Sequence, residues 1–339
     1  MSADREALTR AFLLRAGWGA ADRAHLAGDA SARSYQRLTQ GTQTAVLMDA
    51  PPGSGEDVED FIRIAAHLAA LGLSSPQILE GDAALGLLLL EDLGDALFTR
   101  VLEADPGQER VLYEAAVDVL LVVQSNPPLG GVPDLSAADW AAAAGFAPDW
   151  YAGAITGQRP DAGDFSTRLT DALAAHADAT RILILRDYHA GNLLWLPGRN
   201  GVARVGVLDF QQAQMGQPGY DLVSLLQDAR LDVAPGTEAA GKARFAAGKG
   251  VSLADLDAAY ATLGAQRALR ILGIFARLCL VAGKPGYVAL IPRVWGQLMR
   301  NLDHPELAAL RAECLRLLPE PTPDNLSRII ARCGTTLSP

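Results

Sequence analysis

Positive charge is in short supply. The 339 residues carry 29 lysines and arginines against 39 aspartates and glutamates, a formal charge of -10. With a pI near 5.0 the chain has no general basic field to gather DNA, RNA or anionic lipid, which excludes nucleic acid as an expected partner. Cysteine is scarce too. Cys279, Cys314 and Cys333 lie far apart, with no CxxC pair and no histidine at metal-ligand spacing, so a sequence-local thiolate metal site is excluded and a reducing compartment fits. Long apolar runs are missing: stretches such as Leu87 to Leu90 are far too short to span a bilayer, and Ile271 to Ala282 is broken by Arg277 and reads as a buried helix. The N-terminal MSADREALTRAFLLRAGW mixes acids and bases with apolar residues at helical spacing, the pattern of an amphipathic helix and not of a secretory signal. A cytoplasmic location without membrane contact is expected, and no obligate protein partner is evident.

What the chain does have is core-forming material: 50% of residues are hydrophobic and 20% charged, and the length suits two packed lobes. The first 30 or so residues read as one or two helices with Leu8, Phe12 and Leu13 on one stripe. Tyr35 to Leu38 and Thr44 to Met48 have strand composition and are joined by the turn-rich Thr-Gln-Gly-Thr-Gln, which predicts a hairpin. Pro51-Pro52-Gly53-Ser54-Gly55 breaks the chain before a helical pattern from Glu56 to Leu71. Gln77 to Leu79 and Leu85 to Leu90 flank Gly81-Asp82 and predict a second hairpin, ending at Glu91-Asp92-Leu93-Gly94-Asp95. Beyond it the pattern is helical, Val111 to Gln124 most clearly, apart from a strand-rich interruption between 182 and 210. The lobe boundary is expected near Leu93.

Chemistry concentrates in that interruption. The apolar run Ile182-Leu183-Ile184-Leu185 delivers Arg186-Asp187-Tyr188-His189-Ala190-Gly191-Asn192; a second strand, Leu193 to Leu196, follows; and a third, Val205 to Leu208, leads into Asp209-Phe210-Gln211. A carboxylate able to take a hydroxyl proton, with hard oxygen ligands suited to magnesium, is what phosphoryl transfer asks for. Aspartate and asparagine are also common turn residues, so each taken alone carries little.

Together they resemble the aminoglycoside phosphotransferase and choline kinase-like branch of the protein-kinase-like superfamily. Its catalytic loop, His-Gly-Asp-x-x-x-x-Asn, is followed about 20 residues later by Ile-Asp-Phe or Ile-Asp-Trp; here the match is Leu185-Arg186-Asp187 to Asn192, then Leu208-Asp209-Phe210. The resemblance implies an α+β, bilobal protein-kinase-like fold: a small antiparallel-sheet N-lobe over 1–92 that binds nucleotide and a larger, mostly helical C-lobe over 93–339 with the catalytic loop and acceptor site. It implies ATP and Mg2+ as cofactors, Asp187 as base, Asn192 and Asp209 as metal ligands, and a structural role for Asp221 in Gly216-Gln-Pro-Gly-Tyr220-Asp221-Leu222.

The N-lobe departs from the family pattern. Gly28 to Ser34 resembles the nucleotide-covering loop in position, placing Gly28, Ser31 and Arg33 near phosphates, but lacks GxGxxG. The strand position that usually carries a phosphate-binding lysine is Met48, which deprives Glu56 and Glu59 of a partner and leaves Arg33 or Arg37 as substitutes. Glu91 to Leu93 would be the connector that receives adenine through its backbone. Several segments, among them Leu-Ala-Gly-Asp-Ala-Ser, Val-Leu-Met-Asp-Ala-Pro-Pro and Leu185 to Asn192, resemble bacterial anomeric sugar kinases of peptidoglycan recycling, which act on the C1 hydroxyl of N-acetylmuramate and N-acetylglucosamine. By that resemblance His189, Gln211, Gln212, Trp140, Trp150 and Tyr151 are candidates for the sugar site, although tryptophans more often serve packing and a loop histidine can simply bond backbone. Other small alcohols or aminoglycosides remain open as acceptors, as does a nucleotide-binding pseudokinase acting through a partner.

Overall fold

A computed structural model of the chain describes residues 3–27, 33–53 and 58–335. Two compact units result, Met1–Pro106 with Gly191–Gln212, and Gly107–Ala190 with Ala213–Pro339.

The first unit opens with α1 (Ala3–Arg15) and builds a five-stranded antiparallel sheet from β1 (Asp22–Ala27), β2 (Ser34–Gln40), β3 (Gln43–Asp49), β4 (Ile78–Asp82) and β5 (Leu87–Glu91), in the order β1-β2-β3-β5-β4. Helix α2 (Val58–Ala70) links β3 to β4, and α3 (Phe98–Ala104) follows β5. The central β3 is buried from Ala45 through Asp49, so the usual inside-outside alternation gives way to a continuous apolar run, as in strands covered on both faces. Ala45, Leu47, Leu87 and Leu89 pack with Leu38 against Phe12 and Leu13 of α1. By the two-residue period of a strand, Val46 and Met48, paired with Leu90 and Leu88, face the other side. Arg5 of α1 closes the first face by donating to Asp49 Oδ1 at 2.6 and 3.0 Å.

Two expectations need correction. Residues 22–27 form an edge strand, not a helix: Arg23 and His25 interrupt its apolar residues, and pairing with β2 overrides helix-favouring composition. In the second hairpin Gly81 and Asp82 belong to β4, and the turn falls at Ala83 to Gly86. Gly86 has φ +66, and a Cβ there would collide with the Ala50 carbonyl, so only glycine fits.

Four short strands follow: β6 (Ile182–Ile184), β7 (Leu193–Trp195), β8 (Val205–Val207) and β9 (Gln214–Gly216). β7 pairs with β8 in the first unit and β6 with β9 in the second, antiparallel in both cases. The second unit is otherwise helical: α4 (Glu109–Ser125), α5 (Ala137–Ala144), α6 (Gly153–Thr156), α7 (Phe165–His176), α8 (Tyr220–Leu226), α9 (Pro235–Lys249), α10 (Leu253–Ala282), α11 (Ile291–Leu302), α12 (Ala308–Leu317) and α13 (Pro323–Ala331). Ser252 caps α10 by accepting from Asp255 N. Tyr260 through Leu269 are all buried, as expected of a helix enclosed on every side. Its buried polar side chains find partners: Gln266 donates to the Trp140 carbonyl at 2.9 Å and Arg267 to the Gln227 carbonyl at 3.1 Å. Among the described residues no helix is long and apolar enough to cross a membrane.

Candidate active site

In the second unit β6 leads straight into the segment that carries Asp187. Arg186 sits at φ +71, a left-handed conformation that costs a non-glycine residue roughly 1–2 kcal/mol unless its surroundings impose it. The imposing group is Asp221 at the start of α8. Its carboxylate is fully buried and accepts the backbone N–H of Leu185 at 2.6 Å and of Arg186 at 2.9 Å. Ser224, one turn further along α8, donates to the Arg186 carbonyl at 3.2 Å. From the other side the buried Tyr188 donates its hydroxyl to the Ala116 carbonyl of α4 at 2.9 Å. Asp187 is therefore an exposed carboxylate on a backbone anchored immediately before and after it. Burial pushes the Asp221 carboxyl up to about 7, with the two N–H donors pulling the other way.

His189, two residues on, is mostly buried and holds Nδ1 4.0 Å from Asp228 Oδ2. Burial pushes its imidazole below the usual range, the nearby Asp228 charge only partly offsetting it. Asp228 itself accepts from Arg230 N at 2.8 Å. Nothing in the sequence around Leu226-Gln227-Asp228-Ala229 singled Asp228 out.

In the first unit the β7–β8 pair brings Asn192 and Asp209 to one end of a hairpin, since the Asn192 carbonyl accepts from Leu208 N at 2.9 Å. The hairpin is fastened by Val207 N to the Ser74 carbonyl and Trp195 N to the Ala96 carbonyl, both at 2.8 Å. Phe210 is buried and lies 4.9 Å from Phe61 of α2, centroid to centroid. Asp209 is left-handed at φ +55. Its Oδ1 meets two donors, Gln211 Nε2 at 2.7 Å and the guanidinium of Arg33 at 3.3 Å. The amide and carboxylate oxygens of Asn192 and Asp209 suit magnesium, which prefers hard oxygens and takes few from protein. That a cation already leans on Asp209 Oδ1 supports the fit.

The model of the phosphotransferase enzyme family matches residues 23–262, most of the chain and every residue just described. The chain belongs to that family. The N-acetylmuramate/N-acetylglucosamine kinase of Caulobacter vibrioides is 38% identical to it, covering 95% of this chain and 99% of the relative. Among solved structures, a choline kinase from Streptococcus pneumoniae superposes with a TM-score of 0.58 at 15% identity, covering 88% of this chain and 100% of that one. An aminoglycoside phosphotransferase from Streptomyces rimosus, solved with ADP and streptomycin, gives 0.53 at 20% identity, covering 77% and 98%. The fold is the protein-kinase-like α+β fold, with a small antiparallel sheet and a larger helical part.

Other residues singled out from the sequence of this phosphotransferase fall in varied places. Gly28, Ser31 and Glu56 lie outside the described residues. Met48, expected from the resemblance to stand where the lysine would be, is 1% exposed. Arg37 is bound to Asp92 and to Asp95, both at 2.8 Å. These pairs and an ion pair from Arg199 to Glu91 pin the connector around Leu93, while Arg199 also donates to Ser74 at 2.6 Å. Gln211 donates its Nε2 to Asp209 Oδ1 at 2.7 Å. Tyr151 and Trp140 need correction. Tyr151 is fully buried and donates its hydroxyl to the Pro319 carbonyl at 2.6 Å, and Trp140 is buried against Tyr220 at 4.6 Å, so neither ring face reaches a sugar. Trp150 is partly exposed beneath the Arg277 guanidinium, 5.6 Å from its ring centroid. Tyr151→Phe is expected to lower unfolding free energy by about 1 kcal/mol, the net worth of one hydrogen bond, with the acceptor KM unchanged; steady-state kinetics and urea unfolding of the variant check both.

Proposed function

We propose that this phosphotransferase is an ATP- and magnesium-dependent cytoplasmic kinase that phosphorylates the anomeric C1 hydroxyl of N-acetylmuramate, N-acetylglucosamine or both, for reuse of cell-wall sugars. Asp187 aligns that hydroxyl and takes its proton. Asn192 and Asp209 hold magnesium, which offsets charge on the phosphate oxygens when bound. Residues 1–92, with the connector at Glu91 and Leu93, bind the nucleotide; residues 93–339 provide the catalytic loop and the acceptor groups, His189, Gln211 and Trp150 among them. Asp221 keeps the Asp187 backbone in place without touching substrate. The mechanism needs no covalent enzyme intermediate.

The observation that carries the acceptor is likeness running end to end: 95% of this chain aligns with 99% of a relative named for these two sugars. The rigid mounting of Asp187 through Asp221 supports turnover over a nucleotide-binding scaffold, which would have no use for a braced proton acceptor. Incubating purified protein with magnesium-ATP and each sugar, with phosphorus NMR of the product, tests the reading. A sugar 1-phosphate is expected. A 6-phosphate would remove the anomeric assignment and spare the kinase, whereas ATP consumption only with aminoglycosides or choline-like alcohols would replace the acceptor class.

A further inference from the structure

We propose that Cys279 and Cys333 form an oxidation site: a hydroperoxide converts the pair to a disulfide that fastens the end of the chain to α10, and a thiol reductant restores it. The inference stands apart from the kinase reading and uses no residue of the proposed reaction.

Sequence spacing hides the pair, since one member lies on α10 and the other just beyond α13. Folding brings them together. Gly334 N donates to the Cys279 carbonyl at 3.1 Å, and the Cys333 thiol donates to the same oxygen at 3.2 Å. The Cys279 sulfur in turn lies 3.8 Å from the Ile329 carbonyl of α13. Burial pushes the Cys279 thiol up to about 12, and a hydrogen bond with the Cys333 thiol adds to the rise. Segments joined by a backbone hydrogen bond run about 5 Å apart, inside the roughly 4.4–6.8 Å that separates the Cα atoms of bridged cysteines. Arg332 also holds this stretch, donating to the Gly153 and Ala154 carbonyls at 3.3 and 2.8 Å. A bond between the sulfurs therefore calls for side-chain rotation and not for movement of either backbone.

The two thiols differ in access. Cys333 is half-buried and Cys279 fully buried, so a hydroperoxide meets Cys333 first. The Cys333 thiolate attacks the peroxide O–O bond: an S–O bond forms, the O–O bond breaks, the departing oxygen takes up the thiol proton, and Cys333 becomes a sulfenic acid. The Cys279 sulfur then attacks the Cys333 sulfur. The S–S bond forms, the S–O bond breaks, and water leaves with the Cys279 proton. The hydroperoxide gains two electrons, and the two thiols supply them. A thiol pushed up by burial is a poor nucleophile towards a solute. Here the sulfenic acid is held against it, and such placement supplies effective molarities of about 10⁵ M or more. Cys314, buried in α12, takes no part.

Reduced, full-length protein is exposed to hydrogen peroxide until free dithiothreitol in a parallel tube is fully oxidised, then unfolded in N-ethylmaleimide and weighed by intact mass spectrometry. Of the three free thiols, one is expected to remain, Cys314, with tryptic peptides joined through Cys279 and Cys333; dithiothreitol restores all three. The urea midpoint of the oxidised protein is expected to rise, because closing the loop between the two positions restricts the unfolded chain. Cys333→Ser should show no rise and keep both remaining thiols, and Cys279→Ala should leave a Cys333 sulfenic acid that dimedone captures. The proposal is overturned if three thiols survive, if the bond joins two molecules, or if Cys333 runs on to the sulfinic acid while Cys279 stays free. A lowered urea midpoint also overturns it, since the backbone would then have to distort. If Cys279→Ala does not fold, the wild-type peptide map and Cys333→Ser decide alone. A protein that forms the bond but yields no sugar phosphate removes the kinase reading and leaves this site in place.

Discussion

Asp187→Asn is expected to lower kcat by roughly 10²- to 10⁴-fold, the range for losing a positioned general base, while magnesium-ADP affinity stays within about threefold of wild type. An asparagine carbonyl can still accept a hydrogen bond from the sugar hydroxyl, so alignment partly survives. It cannot hold the proton. The backbone should not move, because its anchors are the Asp221 carboxylate, the Ser224 hydroxyl and the Tyr188–Ala116 bond, none of which involves the Asp187 side chain. The proposed magnesium ligands, Asn192 and Asp209, are untouched, so binding and turnover separate. A variant that keeps more than a tenth of wild-type kcat, with folding and nucleotide binding intact, assigns the proton to another acceptor. Loss of turnover together with nucleotide binding would instead make Asp187 part of the metal site.

The same loop shows what a sequence can reveal. The segments Ile182 to Leu185, Leu193 to Leu196 and Val205 to Leu208 are short apolar runs beside Asp, Gly and Asn turns, and each holds a strand of three residues. Burial of such runs is dictated by solvent, so it is legible locally. Pairing is not: β6 finds β9, which no local pattern announces, and β7 and β8 find each other. β1 is hidden from local pattern for a related reason. An edge strand needs no apolar run, and its Arg-Ala-His-Leu-Ala composition suits a helix until β2 supplies hydrogen bonds. At the site, residue types were readable and their present partners were not. Arg33 and Arg37 are both basic and four positions apart, yet one reaches Asp209 and the other Asp92 and Asp95. Tyr151 looked as suitable for a sugar as Trp150 until burial separated them.

Asp221 carries the second large effect although it meets no substrate. Asp221→Ala leaves the buried Leu185 N–H without an acceptor, at roughly 1–3 kcal/mol, strips the part-buried Arg186 N–H of its partner as well, and frees the left-handed Arg186 one residue before Asp187. A displacement of about 1 Å at the reacting groups can cost about 10²-fold in rate, so kcat should fall by at least that much even where the variant is fully folded, with magnesium-ADP affinity nearly unchanged. Normal kcat in a folded Asp221→Ala protein would mean that Asp187 is positioned by something else. The titration of Asp221 supplies an independent readout. Its carboxyl is pushed from 3.8 to about 7 in the folded chain, chiefly by burial. Between those values the folded protein keeps a proton that the unfolded chain has released. Stability from this group is thus complete below about pH 4 and declines as pH rises towards 7, by about 1.4 kcal/mol per unit of separation. Asp221→Asn cannot titrate and lacks that decline, so the gap in urea midpoint between wild type and Asn should narrow from pH 5 to pH 8. A gap that holds steady or widens would mean that the Leu185 and Arg186 donors keep Asp221 ionised throughout, with hydrogen bonding outweighing burial.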